Sequence, residues 1–105
     1  MRRYTPLAPS RGTVIPADLR RLVTDRDRRI VGGNGCVGRY VGMTGPCGGS
    51  MELDHVAGSG ALGKKSPTVA GNLVTLCAVM HRERTENGRT WRPLLLAYLE
   101  TAGVA

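Results

Sequence analysis

The sequence predicts a small α+β domain, and three observations carry that reading. Two short segments, "MELDHV" and "NLVTLC", have the alternation or the branched-residue content of strands. The second runs directly into "AVMHRERTEN", a stretch of good helix formers. Amphipathic stretches lie before and after this pair. At 105 residues the chain has room for one domain with a thin core. Within it we distinguish a basic arm and helix (1–30), a central region of Gly/Cys-rich loop, strands and helix (31–88), and a closing helix (89–105).

In chain order, "PADLRRLVTDRD" places Pro16 at a first helical turn and Leu19, Leu22 and Val23 on one face, with arginines outward. Before Thr13 an extended basic arm is expected. The stretch "VGGNGCVGRYVGMTGPCGGS", Val31 to Ser50, favours turns, with a short strand around Cys36 to Val41. Its two cysteines make a metal-pinned loop a better reading than a free linker, because glycine allows the tight turns that ligand knuckles need. After the strand "MELDHV", a loop from Ala57 to Gly71 carries Lys64 and Lys65. A strand over Leu73 to Cys77 follows, then a helix that stops at Asn87-Gly88. In the last segment Thr90 is the expected cap, Pro93 sits in the first turn and Gly103 is the stop.

The charge points to an acidic polymer. Fifteen Lys and Arg oppose eight Asp and Glu, a formal +7, and arginine's planar fork suits phosphate. Eight of the arginines lie in the first 29 residues, so Arg2, Arg3 and Arg11 are expected DNA contacts, with Lys64 and Lys65 as a second patch. The aromatics are only Tyr4, Tyr40, Trp91 and Tyr98, and so thin a core suggests help from a metal or a partner. No apolar run approaches the roughly 20 residues of a membrane span, and "MRRYTPLAPS" lacks the apolar stretch of a secretory signal. A cytoplasmic protein without membrane contact is expected. In that reducing setting Cys36, Cys47 and Cys77 read as metal ligands or as plain buried thiols.

Asp54-His55 closes the first strand, and His81 lies in the helix after the second. Strand, loop, strand and helix folding back together would let both imidazoles face one site, with Asp54 and Asn72 beside them. Singly, each residue has a plainer reading: a surface ion pair for Asp54-His55, a turn for Gly71-Asn72, and a surface histidine or zinc ligand for His81. The conjunction changes this. "ELDHV", then Asn72 in "NLVTLC", then His81 in "CAVMHRERT", a run from about Cys36 to Thr85, resembles the His-Asn-His (HNH) endonuclease family.

The resemblance implies a ββα-metal (His-Me finger) fold flanked here by N- and C-terminal helices, with one divalent ion between hairpin and helix. It implies His55 as general base, Asp54 and His81 as metal ligands, and Asn72 as the residue that holds the loop and the base. Arg84 falls where the family has a basic residue that contacts phosphate. The chemistry agrees with these roles. Cleaving a phosphodiester needs a nucleophile made from water, and an unperturbed imidazole, titrating near about pH 6.5, can take that proton. A hard cation supplies counter-charge. Two protein ligands would hold Mg²⁺ or Mn²⁺ loosely and accept Ni²⁺ or Zn²⁺.

The cysteines depart from the family pattern. Many relatives carry two ligand pairs for a structural zinc, the second being Cys-x-x-Cys or Cys-x-x-His before the final histidine. Here those positions are Cys77 and Met80, and ten residues instead of two separate Cys36 from Cys47. Either a three-cysteine site borrows a fourth ligand, or zinc is lost and Met80 packs into the core; the softness and poor zinc affinity of a thioether favour the second. The expected function is a metal-dependent DNA endonuclease. The alternative is a catalytically silent DNA-binding or phage assembly module that keeps the fold. The resemblance also implies a bacteriophage or prophage setting in a bacterial host, with packaging proteins as further partners.

Overall fold

A computed structural model describes residues 14–57 and 67–104. The elements are α1 (Ala17–Val31), α2 (Val37–Tyr40), β1 (Met51–His55), a 3₁₀ turn (Ala70–Asn72), β2 (Leu73–Cys77), α3 (Ala78–Glu86) and α4 (Gly88–Val104). They form a small α+β domain around one two-stranded antiparallel sheet. Arg2, Arg3, Arg11, Lys64 and Lys65 lie outside the described residues.

β1 and β2 pair with Met51 opposite Cys77, Asp54 opposite Val74 and His55 opposite Leu73. Bonds from Val56 N–H to the Asn72 carbonyl (3.0 Å) and from Ala78 N–H to the Ser50 carbonyl (2.9 Å) continue the ladder at both ends. Asn72, Val74, Leu76 and Ala78 therefore turn their backbone groups toward β1, and Leu73, Thr75 and Cys77 turn theirs away. All five residues of β2 are buried, so an unpaired outer edge would leave polar groups without water.

Helix α1 closes that edge. The Leu73 carbonyl accepts from Arg26 Nη2 (2.6 Å), and Thr75 N–H donates to Asp27 Oδ2 (2.8 Å). Cys77 N–H donates to Cys36 Sγ at 3.3 Å. Arg26 also donates through Nε to Asp27 Oδ1 and through Nη1 to the Ala70 carbonyl, both at 2.8 Å. Tyr98 of α4 adds its hydroxyl to Asp27 Oδ1 at 2.6 Å. One fully buried carboxylate thus joins α1, β2 and α4, with a guanidinium as its counter-charge.

Three parts of the fold differ from the sequence reading. Cys36 to Val41, expected as a strand, holds the single helical turn α2. Gly38 on this turn explains the local geometry: a Cβ there would lie 2.5 Å from the Met80 sulfur and 3.0 Å from the Met43 sulfur, so the turn can approach α3 only without a side chain. Helix α4 starts at Gly88 and runs past Gly103. The Asn87 carbonyl accepts from the N–H groups of Thr90 (3.0 Å) and Trp91 (3.2 Å), and the Trp91 ring N–H bonds Glu83 at 2.9 Å. These anchors begin the helix directly behind α3 and leave Pro93 inside it. In α1 the inward face carries Arg26 and Asp27 beside Val23, while Leu22 is exposed.

Candidate active site

Strand β1 and helix α3 bring Asp54 and His81 together. Asp54 is buried, with 6% of its surface exposed, and its Oδ1 lies 3.2 Å from His81 Nε2. On the other side of the ring, Nδ1 lies 2.6 Å from Glu52 Oε1. A neutral imidazole carries one N–H. With that hydrogen on Nδ1, toward Glu52, Nε2 turns a lone pair toward a carboxylate oxygen, and two acceptors at this distance require a proton or a cation between them.

The spacing suits a metal ion. Two donors bound at right angles, each about 2.0–2.2 Å from one ion, stand about 3 Å apart. The donor set is one oxygen and one nitrogen, which suits Mg²⁺, Mn²⁺, Ni²⁺ or Zn²⁺. Burial pushes the Asp54 carboxyl above its ordinary range, against the opposing pull of Arg84, His81 and His55. A buried carboxylate of this kind gains most from a second positive charge.

Arg84 is placed differently from the sequence expectation. It is 8% exposed, and its Nε lies 2.9 Å from Asp54 Oδ2. Both atoms are buried, and the N–H is not aligned along the contact, so this is an ion pair without a well-formed hydrogen bond. Nη2 donates to the Val56 carbonyl and, at 3.4 Å, to that of His55. The guanidinium is therefore turned inward as a counter-ion and brace for the end of β1, instead of outward to phosphate.

His55 follows Asp54 in the chain and is half-buried. Its Nε2 lies 3.0 Å from Thr68 Oγ1. Among the described residues it makes no side-chain hydrogen bond to Asp54, Asn72 or His81. Asn72 is buried and works on backbone: Oδ1 accepts from Ala57 N–H (2.8 Å), and Nδ2 donates to the carbonyls of Ala57 (3.0 Å) and Pro67 (2.9 Å). Ala57 and Pro67 flank the segment between the strands, so one amide pins the exit from His55 to the return beside Thr68. The sequence reading missed Thr68 and Glu52. The signal for Glu52 was available, since residues two apart on a strand share a face and Glu52 precedes Asp54 by two.

The thiols form a second cluster. The sulfurs of Cys36, Cys47 and Cys77 all lie within 4.8 Å of one another, a grouping that can hold a metal ion. Met80 Sδ stands 3.5 Å from Cys36 Sγ, so a fourth sulfur borders it. Cys77 Sγ accepts from Met80 N–H at 3.4 Å as the cap of α3. Burial pushes the Cys36 thiol up to about 11, although backbone N–H groups of Cys77 and Gly38 act against it. For Cys77 burial acts in the same upward direction, but donors at Gly48 and Met80 and the neighbouring thiols outweigh it and lower its pKa. Backbone N–H groups aimed at sulfur favour thiolate, the form a metal binds.

No protein-family model matches the chain, and neither the curated proteins nor the solved structures include a match. Among the described residues no helix is long and apolar enough to cross a membrane.

Proposed function

We propose that this chain is a metal-dependent DNA endonuclease of the His-Asn-His type, hydrolysing phosphodiester bonds with His55 as general base. The observation that carries the reading is the meeting of Asp54 Oδ1 and His81 Nε2 at 3.2 Å, next in the chain to His55 and on two antiparallel strands followed directly by a helix. Asp54 and His81 would hold a divalent ion, Mg²⁺ or Mn²⁺ first, which would supply charge to the phosphate and to the departing 3′ oxygen.

The chain's own residues do the rest. His55 directs Nε2 at the Thr68 hydroxyl, which leaves Nδ1 to take the proton of an attacking water. Asn72 fixes the chain on either side of that pair. Arg84 holds the Asp54 carboxylate and the end of β1. DNA is drawn by the basic surface. Of the ten arginines among the described residues all but Arg26 and Arg84 are exposed, including Arg82 beside His81; the remaining contacts assigned to DNA are Arg2, Arg3, Arg11, Lys64 and Lys65. Against the sequence-based preference for a lost zinc, the three sulfurs within 4.8 Å of one another support a structural Zn²⁺ that Cys36, Cys47 and Cys77 would hold, with Met80 at its border. A bacteriophage or prophage role in the host cytoplasm, near packaging proteins, follows from the resemblance.

Conversion of supercoiled plasmid to open-circle or linear form tests this reading. Cleavage should require added Mg²⁺ or Mn²⁺ and stop with chelator. Protein that binds DNA but leaves plasmid intact with every divalent ion would instead be the silent binding module.

A further inference from the structure

We infer that Glu52 is a positioning residue for the metal pair: it accepts the Nδ1–H of His81 and so directs the lone pair of Nε2 at the ion shared with Asp54. The inference rests on the proposed metal role of Asp54 and His81 and extends it to a third side chain. Glu52 and Asp54 sit two residues apart on β1 and share a strand face. Both carboxylates meet the one imidazole that α3 lays against that face, Glu52 at Nδ1 (2.6 Å) and Asp54 at Nε2 (3.2 Å).

The two ring nitrogens point to opposite sides of the ring, so Glu52 cannot reach an ion bound at Nε2 while it holds Nδ1. Its part is orientation. A histidine that binds metal through one nitrogen has its tautomer and ring angle set by what the other nitrogen donates to, and loss of such a partner typically weakens metal binding about 10–100-fold. The plain alternative is a surface ion pair. Glu52 and His81 keep 40% and 30% of their side chains exposed, and a pair of that kind contributes little. What separates the readings is the other end of the same ring: with the single N–H of a neutral ring held by Glu52, a cation joins Nε2 to Asp54 Oδ1, whereas an ion pair puts a second proton there, and only in the first case does Glu52 bear on metal affinity.

Calorimetric titration with Mn²⁺ tests the inference, because this hard ion prefers the carboxylate and imidazole to the thiol cluster. Wild type, Glu52→Gln and Glu52→Ala are compared, with the metal-free melting temperature as a check on the fold. Glu52→Ala should bind Mn²⁺ about 10–100-fold more weakly while melting within a few degrees of wild type. Glu52→Gln should retain most of the affinity, since its amide oxygen accepts the same N–H. Wild-type affinity in Glu52→Ala overturns the positioning role and leaves the metal pair standing. Equal weakening in both variants also overturns it, because charge and not orientation would then be what matters. Wild type that takes up no Mn²⁺ overturns the metal reading itself, and this inference with it.

Discussion

Asp54 is a buried carboxylate with one full cationic neighbour, and the inward turn of Arg84 follows from that. Burial raises its pKa, and Arg84 is the largest opposing influence. Removing the guanidinium strands a buried charge, so Arg84→Ala should cost about 3–5 kcal/mol of stability, read from denaturant unfolding. Arg84→Lys should recover little, because one ammonium cannot serve both the Asp54 carboxylate and the Val56 carbonyl. Were Arg84 a surface phosphate contact, the same variants would keep their stability and flatten the salt dependence of DNA binding by about 0.9 in log–log slope. Residue identity singled out Asp54, His55, Asn72 and His81 in the sequence as the proposed set, because such a set is chemistry at a spacing, and the fold does bring Asp54 and His81 within 3.2 Å. The direction of Arg84 was not legible: an arginine on a short helix reads as exposed until the carboxylate beneath it is known. Thr68 escaped for a related reason, since a hydroxyl 13 residues from its histidine gives no local pattern.

Among the elements, the most consequential contact is the closure of β2's outer edge by Arg26, Asp27 and Cys36. Tyr98 completes it, and its phenol is pushed well above the ordinary value of 10.0 by burial and by the adjacent Asp27 carboxylate. The folded state thus holds this proton more tightly than the unfolded chain does. The resulting stabilisation is complete below about pH 10 and is lost as pH rises beyond it. Thermal unfolding from about pH 8 to pH 11 should show wild type losing stability more steeply than Tyr98→Phe. At neutral pH the variant should be weaker by about 1.5–3 kcal/mol, the value of a hydrogen bond to a charged group. Parallel pH profiles for the two proteins would contradict this account of the edge. Local pattern sufficed for β1, β2 and α3, whose periodicity and caps lie within a few residues. It failed at α2 and at the start of α4. Gly38 packs under Met80, 42 positions onward, and Trp91 anchors back to Glu83, so both outcomes depend on tertiary neighbours.

For the whole molecule, the question is what supports so small a core. The sulfur cluster gathers the residue before α2, the loop before β1 and the junction of β2 with α3. If it carries zinc, protein purified without added zinc should contain about one equivalent, and a strong chelator should unfold it. The metal's contribution, about 10–16 kcal/mol in small zinc domains, is comparable to or exceeds the total stability of about 5–15 kcal/mol typical of a domain. Zinc-free protein with an unchanged melting temperature would return Met80 to the role of a core side chain. The charge is likewise a property of the whole chain. At a formal +7, DNA affinity should fall linearly in log K against log salt, and replacing Arg2, Arg3 and Arg11 should flatten that slope without changing the rate on saturating DNA.

The central claim is that Asp54 and His81 hold the ion while His55 moves the proton, and the rate of plasmid cleavage across a Mn²⁺ titration separates the two jobs. His55→Ala should lower the rate at saturating Mn²⁺ by roughly 10²–10⁴-fold, the usual value of a general base, without shifting the Mn²⁺ concentration at half-maximal rate. Asp54→Ala and His81→Ala should move that concentration upward. A His55→Ala protein that cuts at the wild-type rate, or metal-ligand variants whose Mn²⁺ requirement is unchanged, would contradict the assignment.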